Sequence, residues 1–502
     1  MNILYRACAS RNGYQSRILK LLYDKGIFEK CTVITQSLDD RDDYQSDIYH
    51  EINAMYGYSC SYYKICDVDE LPEVSEVILR RMEQYKAVAL NMTCRNHHMH
   101  LLYYDEMEYE YMLHVKFWNS VLDNDHIDFV FLTTTPHCVW EYVIYALAKT
   151  KGIPVLIETV ANIPGFNEVG TSLDNLGKNT MTCFASGEYN GMNQYVREYY
   201  DKVLFSKEFT RKIEKSAVLK EQKEWVCRLY YKPLVKRVFN KDNAVSLVRK
   251  LRSGNSDYNI RMHHNTELLM RFLVKKINYG NQNYYDKRIA SKRIDYDKRY
   301  IYYALQYFPE SSVLPRGGVF WNQLNAIKML AHVAKKRGVN VLVKEHWIEE
   351  SRAKRYYQEL KSISGVYCVK STEESAQLVE NALAVASETG TCIQESIIKG
   401  KPVITFADHY MCGAPGVYRV HDENEIEKVL MVIMEDGYRI SETDVEKYFE
   451  AISRTLVKGY LDWPSKPHIN LRECIKDTVD LINRFVLEGM KEDFIYIKES
   501  ID

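Results

Sequence analysis

The sequence predicts an α/β protein built from two Rossmann-like, doubly wound parallel-sheet domains that face a cleft, with a mainly helical insertion in the middle. Three observations carry this. Over residues 1–168, short apolar runs alternate with amphipathic stretches of helical length, the pattern of strand–helix–strand units in a parallel sheet. The alternation lapses over 169–298 and resumes over 299–460, before a last helical segment at 461–502 that is long enough to pack back across the cleft. At 502 residues the chain is also too long for one ordinary core.

In the first domain NILYRA reads as a buried strand, followed after Arg11-Asn12-Gly13 by a helix to about Asp24. CTVITQ, AVALNM, IDFVFLTTT and PVLIET read as further strands, and CVWEYVIYALAKTKG as the helix between the last two. In the second domain YIYYALQ, VNVLVKEH, VYCVK, ALAVAS and PVITF are strands. The helices between them are QLNAIKMLAHVAKKRG, a stretch ending near Ser362, EESAQLVENA and CIQESIIKG, and the tail from about Glu423 is helical.

Apolar residues make up 46% and aromatics 12%, which excludes a disordered chain. The 40 tyrosines are spread throughout and name no ligand. The N-terminus lacks a basic segment followed by a long apolar core, no window has the unbroken apolar length of a membrane span, and the 12 cysteines form no CxxC pair. A reduced, cytoplasmic setting is the expectation. Net charge is −1, yet residues 201–300 hold 25 Lys+Arg against 11 Asp+Glu. Such a block suits either a solvated helical face or a phosphate-bearing surface, and peripheral association with an anionic membrane face is the expected use. Nucleic acid is not an expected partner, because no recognisable nucleic-acid-binding signature accompanies the charge.

The stretch NALAVASETGTCIQESIIKGKPVITF concentrates the chemistry. A small-residue strand runs into Ser387, Thr389, Gly390 and Thr391 and then into a helix, so hydroxyls and unpaired N–H groups meet where a phosphate could sit. Thr391 and Gln394 have capping-box spacing, and Glu395 lies one turn on, where a carboxylate suits a sugar diol. The same residues also fit an ordinary capped helix with a solvated Glu. Lys344, Glu345 and His346 end the strand VNVLVKEH, and Gln306 and Glu310 flank the exit of the strand before it. In the first domain His137 follows the strand IDFVFLTTT and Glu158 ends PVLIET, so either could be a general base or a structural hydrogen-bonding group. His97, His98 and His100, His263 and His264, and the pairs Asp123/Asp125 and Asp295/Asp297 lack the spacing or strand-end position of a metal site. No obligatory metal and no cofactor are expected.

The segments around TTTPHCVWEYVIYALAKTKGIPVLIETV and from YIYYALQYFPESS to KGKPVITF resemble the capsule polysaccharide biosynthesis family, over about 126–165 and 300–410. Its members are two-domain GT-B glycosyltransferases of bacterial surface glycans, Kdo transferases among them. The resemblance implies a nucleotide-sugar donor held by the second domain through Lys344, Glu345, His346, Thr389, Gly390, Thr391 and Glu395, and a glycan or lipid-linked glycan acceptor. Trp347 stands where the family has proline, which bears on the identity of the donor. Two alternatives share the scaffold. One is a nucleotide-sugar 2-epimerase, and the other a non-catalytic glycan- or lipid-binding subunit of a polysaccharide assembly complex.

Overall fold

The computed structural model describes residues 1–7, 13–35, 48–96, 104–188, 191–206, 282–290, 298–307, 313–346, 352–459 and 469–498. Glu310, Trp347, the three histidines at 97–100, His263 and His264, the Asp295/Asp297 pair and the greater part of the basic block lie outside them.

The first sheet contains β1 (Asn2–Arg6), β2 (Lys30–Thr35), β3 (Tyr49–Asn53), β4 (Phe129–Leu132), β5 (Val155–Val160), β6 (Phe166–Gly170) and β13 (Val457–Lys458). Its order is β13-β6-β5-β4-β1-β2-β3. β1 to β5 are mutually parallel, while β6 runs antiparallel to β5 and β13 antiparallel to β6. The central parallel strands β1, β2 and β4 are buried on both faces, as packing between two helical layers requires. Leu4, Val130, Leu132, Val155 and Ile157 face α3 (Glu76–Asn96), α4 (Tyr104–Asn124) and α5 (Val139–Lys151). Ile3, Tyr5, Phe129, Phe131 and Leu156 face α1 (Tyr14–Asp24) and the helix Leu471–Leu487.

The second sheet is parallel throughout, in the order β12-β11-β10-β7-β8-β9. Its strands are β7 (Tyr300–Ala304), β8 (Asn340–Lys344), β9 (Val366–Val369), β10 (Ala384–Ser387), β11 (Val403–Thr405) and β12 (Val417–Arg419). In both sheets the first strand is central and the chain builds outward on one side, then on the other. The switch points, β1/β4 and β7/β10, are where the carboxyl ends of parallel strands part to leave a crevice. Two Rossmann-like sheets paired in this way are the GT-B architecture.

Three features differ from the sequence expectation. AVALNM is no strand but the interior of α3, and the buried positions Met82, Ala89, Met92 and Thr93 follow a helical period. The polar strand β3 and the antiparallel β6 went unrecognised because neither is an apolar run. The domain limits shift as well, because β6 runs past residue 168 and β13, from within 299–460, joins the first sheet. The helix Leu471–Leu487 lies on α1, where Tyr14 Oη and Thr478 Oγ1 are 3.1 Å apart. Among the described residues no helix is long and apolar enough to cross a membrane.

This packing settles the surroundings of Glu158. On β5 it shares with Leu156 the face covered by α1 and the helix Leu471–Leu487 rather than pointing into the crevice, and it is 1% exposed. Asn167 Nδ2 donates to it at 2.6 Å and Thr478 Oγ1 at 3.3 Å. Burial pushes its pKa from 4.5 up to about 7, only partly offset by those hydrogen bonds. Between these values the folded chain binds a proton that the unfolded chain has released. The associated stability is full below about 4.5 and is lost as pH rises through about 7, by about 3 kcal/mol. Glu158→Gln is therefore expected to flatten the pH dependence of the urea midpoint and to exceed the native protein in stability at about pH 8. Parallel curves for the two proteins would contradict this account.

Candidate active site between the two lobes

On the first lobe the carboxyl edge starts at Arg6, the last residue of β1. Its guanidinium is buried and donates from Nε to Glu141 Oε1 at 2.7 Å and from Nη2 to Tyr58 Oη at 3.2 Å. Glu141 is the third residue of α5, and its other oxygen accepts the N–H groups of His137 and Cys138 at 3.1 and 3.2 Å, closing a capping box. Burial alone would raise the Glu141 carboxyl, but Arg6, His137 and the hydrogen bonds outweigh it and hold the pKa below the usual range. This rigid entry presents His137. Its Nδ1 lies 2.7 Å from the Thr135 carbonyl, which can only accept, so Nδ1 carries the proton and Nε2 is the basic nitrogen.

On the second lobe the edge is formed by the exits of β7, β8 and β10. Gln306 is locked by its backbone, which exchanges hydrogen bonds with the buried Gln323 side chain at 2.9 and 3.2 Å. Its carbonyl also accepts from Arg352, which pairs with Glu345 at 3.1 Å. The Gln306 side chain then fills the turn after β10. With the amide oriented to suit its neighbours, its oxygen accepts from the N–H groups of Thr389, at 3.0 Å, and Gly390, while its nitrogen donates to Thr389 Oγ1 at 2.9 Å. Gly390 is needed for this fit, because a Cβ there would lie 2.8 Å from the Gln306 amide and 3.0 Å from Ser387 Oγ.

The two edges meet. Arg316, just beyond β7, reaches across to Glu168 of β6 at 2.7 Å and to Thr135 Oγ1 at 3.2 Å. Both members of the ion pair are almost wholly buried. Asn162, between β5 and β6, approaches the Thr389 carbonyl and His409 Nε2 at 3.4 Å each, and its own carbonyl accepts from Gln394 at 2.8 Å. Burial raises the Glu168 pKa despite Arg316. Burial and then Arg316 push His409 down to about 3, which leaves a neutral imidazole. Nearby Asp408 is raised by burial to about 6, opposed by Arg419 at 2.7 Å.

The structure brings Gln306, Ser387, Thr389, Gly390 and Thr391 together at one edge, while other expected positions take a different place. Thr391 makes no side-chain cap, and Gln394 leaves the capping-box geometry to tie the lobes through Asn162 and Tyr199 Oη, the latter at 2.6 Å. Lys344 Nζ turns to the Glu373 carbonyl at 2.7 Å and Ser375 Oγ at 2.6 Å within its own lobe. Glu395 is buried inside that lobe, where, after burial itself, its charge helps to raise the pKa values of Tyr302 and Cys392. His346 is half-buried at the strand end, 6.1 Å from the Tyr307 ring. Arg316, Glu168, Asn162 and His409 were not anticipated. Arg316 ends the short helix Val313–Arg316 and belongs to no motif, and only the docking of the lobes gives the four a common place.

No protein-family model matches the chain, and no curated protein matches it. Among solved structures it is similar to the UDP-GlcNAc 2-epimerase of Methanocaldococcus jannaschii, at 10% identity and a TM-score of 0.25, over 90% of this chain and 98% of that one. It is similar to the β-Kdo 2,4-transferase KpsC of Thermosulfurimonas dismutans at 12% identity and a TM-score of 0.32, over 70% and 87%. For the β-Kdo 2,7-transferase of the same organism the values are 11% and 0.29, over 72% and 88%. Scores of this size leave the chemistry to be read from this chain's own residues.

Removing one member of a buried ion pair leaves an uncompensated charge. Arg316→Ala should therefore destabilise the protein by about 3–5 kcal/mol, whereas the double replacement Arg316→Met with Glu168→Leu should cost far less. Denaturant unfolding of the three proteins checks this, and equal costs for the single and double variants would contradict it.

Proposed function

We propose that this chain is a glycosyltransferase that moves a sugar from a nucleotide-sugar donor to a hydroxyl of a capsule or other surface polysaccharide, independently of metal. The observation that carries the reading is the opposition of two Rossmann-like carboxyl edges across one crevice, with the Ser387–Thr391 turn at the β7/β10 switch point turned toward the first lobe. Donor phosphate would take the place of the Gln306 amide oxygen on the Thr389 and Gly390 N–H groups. Arg316 would move from Glu168 to the phosphates as the lobes part, supplying the positive charge that a metal supplies elsewhere. The acceptor oxygen bonds to the anomeric carbon as the bond from that carbon to phosphate oxygen breaks. The electron pair leaves with the nucleotide, and the acceptor proton passes to His137 Nε2. Closure would exclude water, the competing nucleophile.

A second reading, nucleotide-sugar 2-epimerase, is favoured by the convergence of a buried carboxylate, a guanidinium and a neutral imidazole (Glu168, Arg316 and His409) in a closed crevice. Incubation with nucleotide-sugar and no acceptor separates the two, since release of the C2 epimer supports the epimerase and sinks the transferase.

Thermal shift with CMP-, UDP-, GDP- and dTDP-linked sugars tests the donor site, and at least one should raise the Tm. If Gln306 and phosphate compete for the same N–H groups, Gln306→Ala should enlarge that shift. Loss of the shift in Gln306→Ala would instead make the amide a direct ligand. His137→Ala should lower kcat by about 10²–10⁴-fold with the donor-induced shift retained. A fully active His137→Ala enzyme removes His137 as the base.

A further inference from the structure

Beside α2 (Ala54–Ser59), at the flank of the first lobe, the chain brings together three donor groups that the transfer chemistry does not use. The helix closes in a Schellman arrangement, with Ser61 N–H donating to the Tyr56 carbonyl at 2.9 Å and Cys60 N–H to the Gly57 carbonyl at 3.2 Å. Cys60 therefore occupies the position after the helix that glycine usually fills, with φ at +47°. A side chain is disfavoured there, and this one directs its Sγ at α4, where it donates to the Glu110 main-chain carbonyl at 3.7 Å. Across from it, Glu110 and His114 stand four residues apart on one face of α4, and both are buried. The Cys60 sulfur, a Glu110 carboxylate oxygen and a His114 ring nitrogen lie within 4.8 Å of one another.

The surroundings orient the imidazole. Tyr62 Oη is 2.6 Å from His114 Nδ1 and accepts from Trp118 Nε1 at 2.8 Å. That hydroxyl engages Nδ1, so Nε2 is the ring nitrogen that would serve as the ligand, and a fixed partner on the other nitrogen is how ligating histidines are commonly oriented. A second grouping of this kind, His137, Cys138 and Glu141, is already committed, because Arg6 and two backbone N–H groups occupy the Glu141 oxygens.

We propose that Cys60, Glu110 and His114 form a divalent transition-metal site of the zinc type, fastening the end of α2 to α4. Thiolate, imidazole and carboxylate together suit zinc or cobalt and are a poor set for magnesium or calcium. On binding, the thiol S–H bond breaks, the sulfur–metal bond forms and the proton leaves to solvent. Water completes the coordination from the side where Cys60 is half-exposed. By steadying α2, the site would also steady Tyr58, which accepts from Arg6 at the crevice edge. The sequence expectation of no metal rested on spacing along the chain, whereas these ligands are brought together across 50 residues.

The test uses the full chain, freed of metal by a chelator and titrated with cobalt(II). The expected result is about one equivalent bound per chain, with a thiolate-to-cobalt charge-transfer band that zinc abolishes. Cys60→Gly suits the positive φ and should fold, yet lose the band and bind at least about 100-fold more weakly. Tyr62→Phe should keep the band with affinity lowered by about 10–100-fold, and Cys66→Ser should leave both unchanged. Absence of the band in the native chain, or its persistence in Cys60→Gly, overturns the proposal.

Discussion

A guanidinium held in the seam between two lobes governs the rest of this molecule. Arg316 leaves the second lobe and ends against Glu168, with Thr135 also within reach. Stripping water from both charges costs more than an exposed pair could return, so the contact persists only while the lobes exclude solvent together. Its position matters as much as its energy. The cation lies where the carboxyl ends of both parallel sheets converge, the place such folds reserve for ligands. A group that satisfies the closed protein is thus also the group best placed to meet an anion when the seam opens.

The turn after β10 repeats this logic with neutral groups. Its N–H donors face the crevice, but the Gln306 amide already satisfies them, and Gln306 is itself pinned by Gln323 and Arg352. Buried donors are seldom left unmade, so a ligand-free anion site needs an internal stand-in that can yield. An amide oxygen serves, because it accepts from the same N–H groups without carrying charge. On the proposed function, the closed seam and the filled turn are the state from which the lobes would part to admit the donor.

Legibility in the sequence followed the range of the interaction. Strands such as NILYRA and PVLIET were readable because burial on both faces demands an unbroken apolar run, and the long helix after Cys138 because its periodicity and cap are local. AVALNM misled because a short apolar run within a long amphipathic helix has a strand's composition, and only the flanking period distinguishes the two. Gly390 was readable as a tight spot, though what crowds it is a glutamine from another strand. The spacing of Thr391 and Gln394 suggested a local cap, yet Gln394 found better partners in Asn162 and Tyr199.

The amino-acid sequence by itself determined the two doubly wound sheets and the strand ends that carry polar residues, because periodicity and turn chemistry act over a few residues at a time. Only the tertiary structure decided that Glu158 lies beneath a C-terminal helix, that Lys344 is spent within its own lobe, and that Arg316, Glu168, Asn162 and His409 share the crevice. Those pairings join residues far apart in the chain, and their strength comes from the loss of water when the lobes close. No local pattern records that loss.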